Sequence, residues 1–263
     1  MENRQIRVEN IRFSYHKDNE VIRGLNLAVP HGKITALLGP NGCGKSTLFH
    51  LMTGQLKPST GRVLLDGVPI DKIKRRDFAR QVAVVYQHNT APDDITVRKL
   101  VSFGRTPYQP LFSYGQKAED SRMVDHALAI TDTAELADCA ISELSGGQRQ
   151  RVWLAMALAQ SAKILLLDEI TTFLDIHYQL EILHLIRRLN NEHGITVLMI
   201  LHDINQALEF SDASIVMGNG TILANGPTRE IITESLLNRA FQVNAHMAES
   251  GGSRYCVFKY RGG

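Results

Sequence analysis

Hydrophobic and polar residues alternate along the first part of the chain. Ile6/Val8, Ile11/Phe13/Tyr15, Leu25/Leu27/Val29 and Val63/Leu65 each recur with a period of two. That spacing predicts strands with one buried face, assembled as an antiparallel β layer. Continuous apolar runs follow a different rule. Ile34–Leu38, Ile164–Leu167 and Ile195–Leu201, with the run from Val82 that ends at Gln87, predict strands of a sheet covered on both faces. Residues 93–160 instead carry helical spacing, including Met123, Ala127, Ile130 and Leu136, and few strand signals. Gly218-Asn219-Gly220 and Asn225-Gly226 are turn signals around a late hairpin. The expected architecture is therefore α/β: a core over 1–92 and 161–263, its N-terminal part an antiparallel β subdomain, with a helical subdomain inserted at 93–160.

Candidate chemistry sits where these elements end. Gly39-Pro40-Asn41-Gly42-Cys43-Gly44-Lys45-Ser46-Thr47 fits the pattern of Gly, four residues, then Gly-Lys-Ser. The apolar run 34–38 leads in and a predicted helix, Ser46–Met52, leads out, which is the context this loop requires. Its backbone amides suit a phosphate cradle, Lys45 reaches the terminal phosphates, and Ser46 offers a hydroxyl to Mg²⁺.

A second glycine site lies at Leu144-Ser145-Gly146-Gly147-Gln148. Ser145 and Gln148 have the spacing of a capping box. Gly146 and Gly147 are then the first residues of a helix, with amides that lack an intrahelical acceptor and no Cβ to obstruct a ligand. Free amides and the helix dipole together suit an anion.

Asp168 and Glu169 follow the run 164–167, at the strand end where open α/β sheets bind ligands. Asp168 is a candidate Mg²⁺ ligand, and Glu169 a candidate base for an attacking water. Two acids after a strand also suit a plain solvated strand end; the two glycine sites favour the chemical reading. His202 follows the run 195–201, where its imidazole would reach a γ-phosphate or the attacking water.

Composition constrains little. The 263 residues suffice for a large core. The net charge of +2 gives no whole-chain signal for a polyanionic partner such as nucleic acid. No apolar run approaches the roughly 18 residues of a membrane span, and Met1-Glu2-Asn3-Arg4 opens no leader pattern. Cys43, Cys139 and Cys256 lack metal spacing and suit a reducing, cytosolic setting.

Taken together, these residues resemble the ATP-binding subunit of an ATP-binding-cassette (ABC) transporter, from about Val8 to Gly226. The resemblance implies a P-loop NTPase (RecA-like) core and ATP with Mg²⁺ as ligands. It implies that Tyr15 stacks on adenine. It further implies that Gln87 touches Mg²⁺ and reports to a membrane subunit, and that Leu174-Asp175 signals between paired cassettes. Ser145–Gln148 would then close over ATP held by a second copy, in a homodimer. Transmembrane permease subunits are the implied partners, with an extracytoplasmic substrate-binding protein acting indirectly, at the cytoplasmic face of the membrane. One position departs from the family: Ile170 stands where a proline usually follows the catalytic glutamate, which loosens the constraint on Glu169.

Gly104-Arg105-Thr106-Pro107-Tyr108-Gln109-Pro110 resembles importers of ferric siderophores and their haem and cobalamin relatives; the segments around Gln148–Trp153 and Thr171–Ile176 do so too. The expected activity is ATP hydrolysis that powers import, of an iron–siderophore complex first and of another chelate second. A soluble cassette ATPase is the alternative of another class, but such relatives carry paired cassettes or long coiled coils. A non-catalytic module that uses ATP only to dimerise is the third; Asp168, Glu169 and His202 argue against it.

Overall fold

In the computed structural model, which describes residues 5–16, 19–109 and 118–259, the chain divides into two units. One is written in two pieces, Met1–Ile73 and Thr196–Gly263, and the other is the stretch between them, Lys74–Ile195. Met1–Arg4 and Pro110 lie outside the described residues.

The first piece opens with β1 (Ile6–His16) and β2 (Asn19–Ala28), continues through β3 (Ile34–Leu38) and α1 (Lys45–Met52), and ends on β4 (Thr60–Leu65) and β5 (Val68–Pro69). The alternating segments form the expected antiparallel layer, in the order β2-β1-β4-β5. Within β1 the buried positions run Ile6, Val8, then Ile11, Phe13. The change of parity marks a bulge: Asn10 takes φ 46°, and the pairing with β2 shifts between Val8 and Ile11. An extra residue there returns the same face to the core.

The unit Lys74–Ile195 contains α2 (Arg75–Ala79), β6 (Val82–Val85), α3 (Val97–Ser102), α4 (Ala118–Ile130), α5 (Gly146–Ala159), β7 (Ile164–Leu167) and α6 (Ile176–His193). Strands β6 and β7 pair in parallel. Between β6 and β7 the described residues hold helices and one isolated bridge, Thr96–Ala140. Met123, Ala127 and Ile130 lie on α4, as their helical spacing predicts. Asp120, Val124, Ala127 and Leu128 are buried, while Met123 and Ile130 are only partly so. Asp120 is a buried carboxylate that hydropathy alone assigns to the surface.

Its partner is Arg105. The guanidinium lies 2.9 Å from the Asp120 carboxylate, donates to Ala159 O at 2.8 Å and stacks over the Tyr108 ring. Arg76 and Arg80 both donate to Pro107 O. A Cβ on Gly104 would lie 2.2 Å from Met156 O, so α5 can approach only a glycine there. The described part of the Gly104–Pro110 segment thus turns inward and braces the helical region.

The chain re-enters the first unit with β8 (Thr196–Ile200), α7 (Ile204–Phe210), β9 (Ala213–Gly218), β10 (Thr221–Pro227), α8 (Thr228–Ile231), α9 (Glu234–Phe241), β11 (Asn244–Ser250) and β12 (Ser253–Lys259). Here β3 lies between β8 and β9, parallel to both, and β10 runs antiparallel to β9. Every residue of β3 and β8 is buried, as expected where both faces of a sheet are covered. Gly218-Asn219-Gly220 makes the β9–β10 turn, as read from sequence. Asn225-Gly226 is not a turn; both residues pair with β9, opposite Ile215 and Ser214. The β11–β12 hairpin has no counterpart in the sequence reading, although Gly251-Gly252 offered a turn signal.

A buried ion pair broken on one side costs about 3–5 kcal/mol. Arg105→Met should therefore lower the melting temperature by on the order of 10 °C, and Arg105→Met with Asp120→Leu should recover much of the loss. Calorimetry of the two variants checks this; an unchanged melting temperature in Arg105→Met would remove the pair as a brace.

Candidate nucleotide site

Register places the candidate residues of the first unit. Leu37 pairs with Ile200 across the β3–β8 ladder. Gly39 and His202 are therefore each the second residue past the same rung, both at C-terminal strand ends. The Leu201 N–H donates to Leu37 O and continues the ladder by one bond. His202 is exposed immediately before Asp203, which caps α7 through its side chain.

The loop from Gly39 to Thr47 wraps from β3 into α1. Gly39 (φ 151°) and Gly44 (φ 105°) occupy backbone conformations that other residues rarely take. Gly44 caps α1 without a side chain, so the first-turn amides remain available to an anion. Lys45 is 5% exposed and its ammonium donates to Gly39 O at 2.8 Å and Pro40 O at 3.1 Å. Asn41, Gly42 and Ser46 face outward, and Thr47 is buried. Tyr15 is 55% exposed despite sharing phase with Phe13, whose ring it meets edge-on. Its hydroxyl stands 3.2 Å from Thr47 Oγ1, so an open aromatic face is anchored beside the loop.

The second unit repeats the device. Val85 pairs with Leu167, and the Asp168 N–H extends the ladder to Val85 O at 2.9 Å. Gln87 and Glu169 are again the second residues past a common rung. Gln87 Nε2 donates to Glu169 Oε2 at 2.6 Å, which orients one carboxylate oxygen by a charge-assisted bond. Asp168 is buried at the strand end. Glu169 has φ 50°. A following proline steers its predecessor to extended backbone; Ile170, itself buried, leaves Glu169 this left-handed conformation. A non-glycine residue there stores on the order of 1–3 kcal/mol of strain.

The opening of α5 is as expected. Ser145 Oγ accepts from the Gln148 N–H, and Gln148 Oε1 accepts from the Ser145 N–H at 2.9 Å. The two glycines differ in purpose. A Cβ on Gly146 would meet only Leu174, at 3.8 Å, whereas one on Gly147 would lie 2.8 Å from the Tyr178 ring. Gly147 is small because α6 packs against it. Asp175 caps α6 by accepting from the Tyr178 N–H, and the approach of Leu174 and Tyr178 to the two glycines puts Leu174-Asp175 beside the α5 start. Two outward residues of the Thr171–Ile176 segment were given no role from sequence: Phe173, 87% exposed with φ 66°, and Ile176, 75% exposed. Two bulky apolar side chains beside Leu174-Asp175 were the available signal.

A family model described as ABC transporter matches residues 22–172. This chain belongs to the ABC transporter ATP-binding family. It is 46% identical over 230 residues to the iron(3+)-hydroxamate import ATP-binding protein FhuC of Bacillus subtilis (strain 168), covering 88% of this chain and 85% of FhuC. It is 43% identical over 237 residues to the ferric enterobactin transport ATP-binding protein FepC of Escherichia coli (strain K12), covering 90% and 87%. Among solved structures it superimposes on the ADP conformation of MJ1267, an ATP-binding cassette of an ABC transporter. The TM-score is 0.81 at 27% identity, over 91% of this chain and 97% of that one.

The ABC cassette therefore has the P-loop NTPase fold, binds nucleotide, and is an ATPase whose hydrolysis is coupled to transport. Subunits of this kind work with transmembrane permease components. Among the described residues of this cassette no helix is long and apolar enough to cross a membrane.

Cys43 gives the cassette a chemical handle. Its thiol is buried behind Gly39, and burial pushes its pKa above the usual thiol value, against the opposing pull of Lys45. The reactive thiolate is therefore scarce at neutral pH. With Cys139 and Cys256 replaced by serine, alkylation of Cys43 should be slow near pH 7, accelerate as pH rises, and abolish ATP binding once complete. Mass spectrometry and nucleotide titration check both parts; full ATP binding after stoichiometric modification would refute the second.

Proposed function

We propose that this cassette is the ATPase of a ferric siderophore importer, held peripherally at the cytoplasmic face of the membrane by permease subunits. An extracytoplasmic binding protein supplies the cargo indirectly. Relatives at 43–46% identity over most of the chain, named for iron(3+)-hydroxamate and ferric enterobactin transport, support the cargo class. The observation that carries the chemistry is the Gln87–Glu169 hydrogen bond at a strand end.

In this reading Tyr15 stacks on adenine, loop amides from Gly39 to Thr47 hold the phosphates, and Lys45 leaves its carbonyl partners for the terminal phosphates. Mg²⁺ suits the donor set, an outward Ser46 hydroxyl and the buried Asp168 carboxylate, which are hard oxygen ligands. When bound it neutralises charge on the phosphate oxygens. Glu169, oriented by Gln87, takes the proton of the attacking water. His202 contacts the γ-phosphate or the attacking water. Gln87 also links hydrolysis to the permease.

The working unit is a homodimer. The exposed Ser145 and Gly146, with Gln148, close over ATP held by the second copy, and Asp175 signals across the interface. Phe173 and Ile176 support this, because solvated apolar side chains of that size favour burial against a partner.

Glu169→Gln should slow phosphate release by about 10²–10⁴-fold, retain ATP binding, and accumulate an ATP-bound dimer on size-exclusion chromatography. Wild-type turnover would end the base assignment. Ser145→Arg should keep ATP binding by the monomer yet block hydrolysis by the dimer; intact dimeric hydrolysis would exclude action across the interface.

A further inference from the structure

Strands β11 and β12 pair only with each other among the described residues, and a two-stranded hairpin alone is marginal in water. Side chains from two helices close its edges. On the β11 side, Asn238 Oδ1 accepts from the Ala245 N–H at 2.6 Å and Glu234 Oε1 from the Met247 N–H at 2.7 Å. On the β12 side the Asn205 carboxamide substitutes for a missing strand. Its Oδ1 accepts from the Cys256 N–H at 2.7 Å, and its Nδ2 donates to Cys256 O at 3.2 Å.

Asn205 is the second residue of α7. Asp203 Oδ1 accepts from the N–H groups of Asn205 and Gln206, and His202 directly precedes that cap. Leu201, before His202, is bonded to Leu37 O. The short segment carrying His202 is therefore held on one side by β3 and on the other by the hairpin. His202, Asn205, Phe241, Val243 and Phe258 line a common cleft. A carboxamide has the one donor and one acceptor needed to match a strand edge. Removing it strands a backbone pair at the buried Cys256.

We infer that Asn205 is a positioning residue for ATP hydrolysis: by gripping Cys256 it fixes the loop that presents His202, which makes the C-terminal hairpin part of the hydrolytic apparatus. The inference rests on the proposed role of His202. Asn205 touches no reacting atom. Its effect falls on the rate of the chemical step rather than on nucleotide affinity, because the phosphate loop is held by β3 and α1. Displacements of about 1 Å at a reacting group cost up to about 10²-fold in rate.

The test compares full-length wild type, His202→Ala, Asn205→Ala and the double variant in single-turnover hydrolysis, with ATP affinity and melting temperature measured alongside. Asn205→Asp, which keeps the acceptor for the Cys256 N–H but sets a repelling carboxylate oxygen against Cys256 O in place of the donor, is carried through the same assays in case the alanine variant does not fold. Asn205→Ala should lower the hydrolysis rate about tenfold, within the range misplacement produces, and leave ATP affinity near wild type. In the His202→Ala background the same change should have no further effect. A wild-type rate in folded Asn205→Ala or Asn205→Asp overturns the inference and leaves the His202 role standing. Equal losses in both backgrounds also overturn it, since Asn205 would then act independently of His202. A wild-type rate in His202→Ala removes the His202 role itself, and the inference with it.

Discussion

Parallel strand register is the constraint on which the chemistry depends. Two ladders, Leu37 with Ile200 and Val85 with Leu167, each end on a rung from which both chains run two residues further to a candidate functional group. One delivers Gly39 and His202, the other Gln87 and Glu169. A slip of one residue would turn every side chain to the opposite face. It would also separate each pair by a full strand rise, about 3.3 Å. Fully buried strands such as β3 and β8 resist that slip because every position is already matched to a packed neighbour. The apolar interior thus sets the geometry of polar groups that lie beyond it.

Much of this was legible in the residues. The runs 34–38 and 164–167 coincide with β3 and β7, and the capping box at Ser145 forms as its spacing requires. Even the bulge at Asn10 was present as a change of parity between Val8 and Ile11. What was not legible were features that need a distant partner. Asp120 is buried because Arg105 meets it, and Asn225-Gly226 lies flat because β9 pairs with it. Gly147 also has a packing reason to be small, the Tyr178 ring, which its place at a helix start does not signal. The β11–β12 hairpin depends on Asn205, Asn238 and Glu234, polar side chains whose strand-like use no local pattern signals.

The Gly104–Gln109 segment is a packing element of the second unit. Its glycine admits α5, its arginine neutralises a buried acid, and its proline carbonyl receives two more arginines. The helix it braces, α5, is the one whose first turn carries Ser145–Gln148.

The unit that holds the phosphate loop is written in two pieces, and that has a consequence for how the chain is made. Gly32 bonds Thr196 across 164 positions, and Ile34 bonds Asp212 across 178. On the ribosome β3 emerges first and waits while the whole second unit is synthesised. At about 5–20 residues per second that interval lasts on the order of ten seconds or more. Throughout it, an apolar strand lacks the neighbours that later cover both its edges. Such exposure favours aggregation and chaperone engagement, and the long loop closure slows folding further. The most buried strand in the nucleotide unit is thus its most vulnerable segment during biosynthesis.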